Sequence, residues 1–234
     1  MKIRMKFKKT GALRFIGHLD VMRYFQKVMR RAGIPIAFTG GYSPHMIMSF
    51  ASPLGIGLTS EGEYVDIELA KPISGAEAIR RMNAVCVPEI EVISFREISS
   101  EKKMTAMAIV AGADYLVRVK NGSYPEGTEK ELEAFYAQDE ITVMKQTKRS
   151  EKLVNIKPLI YHLSMSEDAV FMQLAAGSVE NLKPELVMQA FCKYAGISQE
   201  DMELTYHRLE MYADVGSEGD RKLVTLESLG KEVL

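Results

Sequence analysis

The sequence predicts an α+β fold in which one order of elements, strand–helix–strand–strand–helix–strand, is used twice. Three observations carry this prediction. Short stretches alternate with a period of two, as Ile3, Met5 and Phe7 do between Lys2, Arg4, Lys6 and Lys8, and read as half-buried strands. Between them lie stretches with apolar residues at helical spacing, opened and closed by capping residues. The same order then recurs in the second half of a 234-residue chain, a length that holds one large or two small domains. Two split β-α-β units per half give an antiparallel sheet with two helices on one face. The expectation is therefore two tandem ferredoxin-like domains, over residues 1–99 and 113–213, joined near Ser99–Ala113, with 214–234 as a C-terminal tail.

Each element has its own warrant. A helix is expected from His18 to Ala32, with Gly17 at its N-cap, Asp20 in the first turn, Arg30 and Arg31 near the C-terminal dipole and Gly33 as the stop. Leu19, Met22, Phe25, Met29 and Ala32 supply its apolar face. Ile34–Phe38 and Tyr64–Leu69 read as strands around a long loop. Ser74 with Glu77 three residues on forms a capping box for a helix to about Val85, and Glu89–Phe95 closes the half. In the second half the strands are Tyr115–Lys120, one from Ile141 with a later arm around Ile156–Leu163, Val170–Ala175 and Met202–Leu209. The helices are Thr128–Gln138 and Pro184–Ala195, the latter with Pro in its first turn and Gly196 after its end.

Hydrophobic content of 47% and charged content of 26% are those of a soluble globular protein. No apolar run approaches the ~20 residues that span a bilayer, and the N-terminus lacks a signal-peptide core, so no membrane partner is expected. Cys86 and Cys192 belong to no CxxC pattern, which points to neither a disulfide framework nor a metal cluster and suits a reducing cytoplasm. The net charge of -1 conceals polarity. Residues 1–31 hold ten basic residues against Asp20 alone, and residues 145–157 hold five against Glu151.

Lys2, Arg4, Lys6 and Lys8 admit two readings, an RNA-backbone platform on an open strand face or cross-strand pairing with Asp66, Glu68, Glu89 and Glu91; pairing is favoured. Arg23, Lys27, Arg30 and Arg31 lie on one face of the first helix with only Asp20 at pairing distance along it, which suits phosphate contact as well as a solvated face. Arg14, Tyr42 and the basic stretch Lys148, Arg149 and Lys152 complete a candidate RNA surface. His18, Asp20 and His45 would suit acid–base chemistry if they converged, and a cap or packing role if not. No GxGxxG, P-loop, HExxH, GxSxG or CxxC motif occurs; no cofactor and no metal are expected.

The loop Gly40–Gly57, with Gly-Gly-Tyr-Ser-Pro-His and an apolar run behind it, is unlike ordinary polar connectors and is expected to pack as a shaped surface, setting one side of a cleft opposite Lys148–Pro158. Arg14–Arg23, Arg30–Pro35, Gly41–His45 and Ser60–Glu68 resemble the radical-SAM-linked domain family, a bacterial family of unknown function. The resemblance spans most of the first ~200 residues, with Gly17 and Ser43 where many relatives carry Ser and Asn. It implies partnership with a radical-SAM enzyme. The chain has no CxxxCxxC motif to hold that enzyme's cluster. The reading is an RNA-binding or RNA-modification accessory without intrinsic catalysis. The alternatives are an endoribonuclease or small-molecule enzyme using His18, Asp20 and His45, and a protein–protein adaptor.

Overall fold

The computed structural model describes residues 1–146, 151–198, 202–217 and 219–234. In chain order the elements are β1 (Lys2–Lys9), α1 (His18–Arg31), β2 (Met48–Phe50), β3 (Thr59–Glu68), α2 (Gly75–Asn83), β4 (Ile90–Ile98), α3 (Ala106–Ile109), β5 (Val110–Val119), α4 (Thr128–Tyr136), β6 (Thr142–Gln146), β7 (Glu151–Asn155), β8 (Ile160–Ser166), β9 (Ala169–Ala175), α5 (Pro184–Ala195), β10 (Leu204–Asp214), β11 (Leu223–Thr225) and β12 (Lys231–Glu232).

The fold is mixed α+β, built on one large and mostly antiparallel sheet. Its order is β12-β4-β1-β3-β10-β5-β9-β8, with β2 on β3 and β11 on β10. The expectation of a separate sheet in each half is corrected here. β3 and β10 pair in parallel through Thr59–Ser60 and His207–Arg208, and this short ladder joins the halves edge to edge. The residues beyond Asp214 also do more than trail: they form β11, a 3-10 turn at Leu226–Leu229, and β12, which pairs with β4 on the far edge.

Local chemistry explains where elements depart from expectation. Ile34–Phe38 forms only isolated bridges, Ile36 with Leu69 and Phe38 with Met46; Pro35 has no N–H to give a ladder, and the regular strand forms later, at Met48–Phe50. On α1 the buried face is Val21, Phe25, Val28 and Met29, while Leu19 is exposed. Ser74 accepts the Glu77 N–H at 3.3 Å, but the Glu77 carboxylate turns to Arg80 and Arg81 at 2.8 and 2.6 Å, so only half of the capping box forms. Gly196 adopts φ +66° after α5, and the Ile197 N–H closes the helix onto the Cys192 carbonyl.

Two apolar clusters fill the sheet's faces. One holds β1, β3 and β4 against α1 and α2. The other gathers the second half and also takes Ala51, Leu54 and Leu58 from the long loop of the first. That loop is thus a structural joint.

Candidate nucleic-acid interface

The structure splits the N-terminal cations into two groups. Arg4, Lys6 and Lys8 of β1 are neutralised by carboxylates within the fold. Arg4, 1% exposed, meets both oxygens of Asp66 at 2.9 and 3.0 Å and donates to the carbonyls of Leu226 and Met104. Lys6 lies 2.6 Å from Glu210 and 3.1 Å from Glu227; burial pulls its pKa down, yet the two carboxylates hold it above the ordinary lysine value. Lys8 pairs with Glu61 and Glu91, and Lys2 donates to the Ser100 carbonyl. The strand face is therefore closed, and pairing is the reading that the structure shows. The segment around Met104–Ala106 and the turn at Leu226 cover it; the Ala106 N–H donates to Asp66 at 2.7 Å.

The cations of α1 are different. Arg23 reaches Asp20 at 3.4 Å, both side chains being exposed. Lys27, Arg30 and Arg31 are exposed, and among the described residues they form no ion pair. Arg14 is half-buried, with its guanidinium 4.8 Å from the centre of the Phe15 ring. Lys152 is exposed on β7. Lys148 and Arg149 lie outside the described residues.

A cleft of about 430 Å³ opens where the halves meet. One wall is the loop Ser52–Gly55, the other Asn181–Glu185 at the start of α5, with Tyr115 and Arg208 between them. Arg208 and Glu63, 2% and 6% exposed, are paired at 2.5 Å, and Arg208 also donates to the Ser52 carbonyl at 2.8 Å. Burial works against the Arg208 charge, but Glu63 outweighs it and raises its pKa. Lys9, 2% exposed, lies beside this pair; burial lowers its pKa in spite of the attraction of Glu63. A bulge at Leu209 aims Arg208 and Glu210 at different partners, Glu63 and Tyr64, which belong to opposite faces of β3. A second cavity of about 620 Å³ shares Asn181–Lys183 and Glu185 and continues to Met144 and Val154 of the β6–β7 arm. The long loop and the arm thus line neighbouring cavities on either side of the α5 start.

His18, Asp20 and His45 make separate contacts. The His18 ring stands edge-on to Phe50 at 5.1 Å and lines a small void with Lys9 and Glu63. Asp20 binds Arg23 on the surface. His45 is exposed, its backbone N–H and Nδ1 both 3.1 Å from the Thr39 hydroxyl, in the loop that also leaves Tyr42 fully exposed. Among the described residues no three His, Cys, Asp or Glu side chains are grouped to hold a metal ion. No helix among them is long and apolar enough to cross a membrane.

Arg208, Tyr115 and Lys183 escape a reading of the sequence, since nothing in their local spacing marks the seam. The one available signal is that Arg208 and Glu210 place opposite charges inside a strand run whose neighbours include Leu204, Leu209 and Met211.

No curated protein matches the chain in sequence. Among solved structures, a chain of a Cbf5-Nop10-Gar1 complex superposes with a TM-score of 0.49 at 12% identity, over 89% of this chain and 48% of that one. A chain of an H/ACA RNP bound to a substrate RNA containing 2'-deoxyuridine gives 0.43 at 11% identity, over 88% and 46%. The chain spans about half the length of the solved structures it matches, and at this distance neither says what it binds. Over residues 2–184 the sequence matches the family described as "Uncharacterized protein conserved in bacteria" (DUF2344), and the chain belongs to that family.

Proposed function

We propose that this protein is a non-catalytic RNA-binding accessory that holds structured RNA for a partner enzyme. The observation that carries the reading is the contrast between β1 and α1. The fold neutralises Arg4, Lys6 and Lys8 with carboxylates drawn from β3, β4, β10 and the turn after β11, but among the described residues leaves Lys27, Arg30 and Arg31 without one. Charge that a fold leaves unpaired on one helix face is available to phosphates. Arg14, Arg23, Tyr42, Lys148, Arg149 and Lys152 extend the contact surface, and His18 and His45 serve packing and loop order rather than catalysis.

The strand order β4-β1-β3-β2 and β10-β5-β9-β8 supports treating the halves as two ferredoxin-like units, 1–99 and 113–213, fused at β3 and β10. The radical-SAM enzyme is the partner class that the resemblance of Arg14–Arg23 and Gly41–His45 implies, and the exposed side chains of Phe15, Leu19 and Ile56 offer it apolar area.

The test is binding of a labelled RNA hairpin to the full chain across a salt series. Affinity should be measurable at ~50 mM salt and fall steeply as salt rises. The combined variant Lys27→Glu, Arg30→Glu and Arg31→Glu should flatten the log–log salt slope by about 3. Absence of binding by the wild type, or an unchanged slope in the variant, would overturn the reading.

A further inference from the structure

Tyr115 leaves its hydrogen bonding unfinished. It is 6% exposed and lines the cleft of about 430 Å³ between the halves. It stands opposite Arg208 in the register of β5 and β10, and a guanidinium can only donate. Among the described residues the Tyr115 hydroxyl therefore has no acceptor for its own proton. A buried donor without an acceptor is costly, and the open side here is the cleft, from which an acceptor can come.

The walls narrow what can bring that acceptor. Their charge is balanced: Glu63 neutralises Arg208, and Lys183 is matched on its own wall by Glu185. Just outside, Lys9 lies beside Glu63, and Glu180 precedes Asn181 along the chain. Glu185 also occupies the first turn of α5, where its carboxylate already answers the helix dipole. An ion of either sign would gain little for its desolvation, so the occupant is neutral. The loop wall, with Pro53, Leu54 and Leu58, suits the face of a flat ring. The opposite wall carries Asn181, which donates and accepts, and Glu185, which accepts; among the described residues neither side chain is engaged in a hydrogen bond. Both walls are fastened. Arg208 donates to the Ser52 carbonyl at 2.8 Å, and the Leu182 N–H donates to the Ala175 carbonyl at 2.9 Å, so the shape precedes the ligand.

We infer that the cleft between the halves binds a nucleobase, a flat neutral heterocycle whose edge sets an acceptor beside a donor. The acceptor takes the Tyr115 proton, the donor meets Glu185 or Asn181, and the ring face lies on Pro53 and Leu54. The base belongs either to a free nucleoside or to a nucleotide swung out of an RNA strand. The inference goes beyond the RNA reading and does not depend on the α1 cations.

The experiment titrates the full chain by calorimetry with the four ribonucleosides, with short single-stranded oligomers of each base, and with a blunt RNA hairpin. At least one nucleoside or oligomer should bind with a Kd below about 1 mM. Tyr115→Phe, which removes only the hydroxyl, should weaken that binding by about tenfold, and Asn181→Ala, a change at an exposed position, should weaken it too. A circular-dichroism melt confirms that each variant is folded. Binding of the free nucleoside assigns a nucleoside site; Tyr115-dependent binding of the oligomer alone assigns a base presented by RNA. The combined Lys27→Glu, Arg30→Glu and Arg31→Glu variant should leave nucleoside binding unchanged. If no nucleoside or oligomer binds, or if Tyr115→Phe leaves the affinity as it was, the cleft assignment is overturned whatever the hairpin does. If a nucleoside binds and the hairpin does not, the cleft stands and the RNA reading of α1 falls alone.

Discussion

Glu63 and Arg208 meet under the loop Ser52–Gly55, almost out of reach of water, and the Glu63 carboxylate raises the pKa of the Arg208 guanidinium against the cost of burial. Removing one partner should therefore cost more than removing both. Glu63→Ala is expected to lower the urea-unfolding free energy by about 3–5 kcal/mol, and the paired change Glu63→Leu with Arg208→Met by much less. Equal losses would mean that packing, not the stranded charge, sets the cost. His207, one residue away, gives a pH-dependent counterpart. Burial, against the attraction of Glu61, lowers its pKa below the ordinary 6.5, and the Thr59 hydroxyl sits 2.7 Å from its Nδ1. The unfolded chain thus takes up the proton first as pH falls. The stability that neutral His207 contributes is complete above about pH 6.5 and declines below it. His207→Gln should flatten the stability–pH curve between about 6.5 and the lower folded value; an unchanged slope would assign it to other groups. At this scale the sequence was a partial guide. The pairing of β1's cations with Asp66 and Glu91 was legible from alternation, but Glu210 and Glu227 were not, because they arrive from residues about 200 positions away.

Helices were the most legible elements, because capping and periodicity are local; Pro184–Ala195 coincides with its expected span. Strands that depend on a distant neighbour were less so. The expected alternation in Met202–Leu209 could not reveal the bulge at Leu209, which exists only because β5 registers against β10 there. Gly62 shows why that region tolerates little change. A Cβ added to it would stand 2.8 Å from the Leu209 carbonyl oxygen and 3.0 Å from the Glu210 Cα, both backbone atoms that cannot swing aside. Gly62→Ala should wedge β3 from β10 and cost about 1–3 kcal/mol, read as a shift in the urea midpoint. A shift below about 0.5 kcal/mol would show that the seam can open without penalty. For the candidate site, the basic face of α1 could be read from helical spacing alone, whereas the cleft could not, since its walls are brought together only by the joining of two halves.

Across the whole molecule the halves share more than the β3–β10 ladder. Lys6 pairs with Glu210, Arg208 with Glu63, and Ala51, Leu54 and Leu58 sit in the second half's core. Urea unfolding is therefore expected as one transition, with far-UV circular dichroism and amide exchange in β4 and β9 reporting the same free energy. A resolved intermediate that retains only one half would contradict this. Most helices and strands of the two halves were readable from the sequence because each is marked locally. Their fusion was not, because a parallel contact between two residues of each strand leaves no pattern of its own. The return of the last strand has a consequence for biosynthesis. Arg4 completes its bonds on the Leu226 carbonyl, Lys6 on Glu227, and β4 gains its outer neighbour from Lys231 and Glu232. On a ribosome that emits about 5–20 residues per second, β1 waits for a partner that lies 222 residues further along the chain. During that interval its cations lack their final partners, and the nascent N-terminal half remains exposed to chaperones and to whatever polyanion is near.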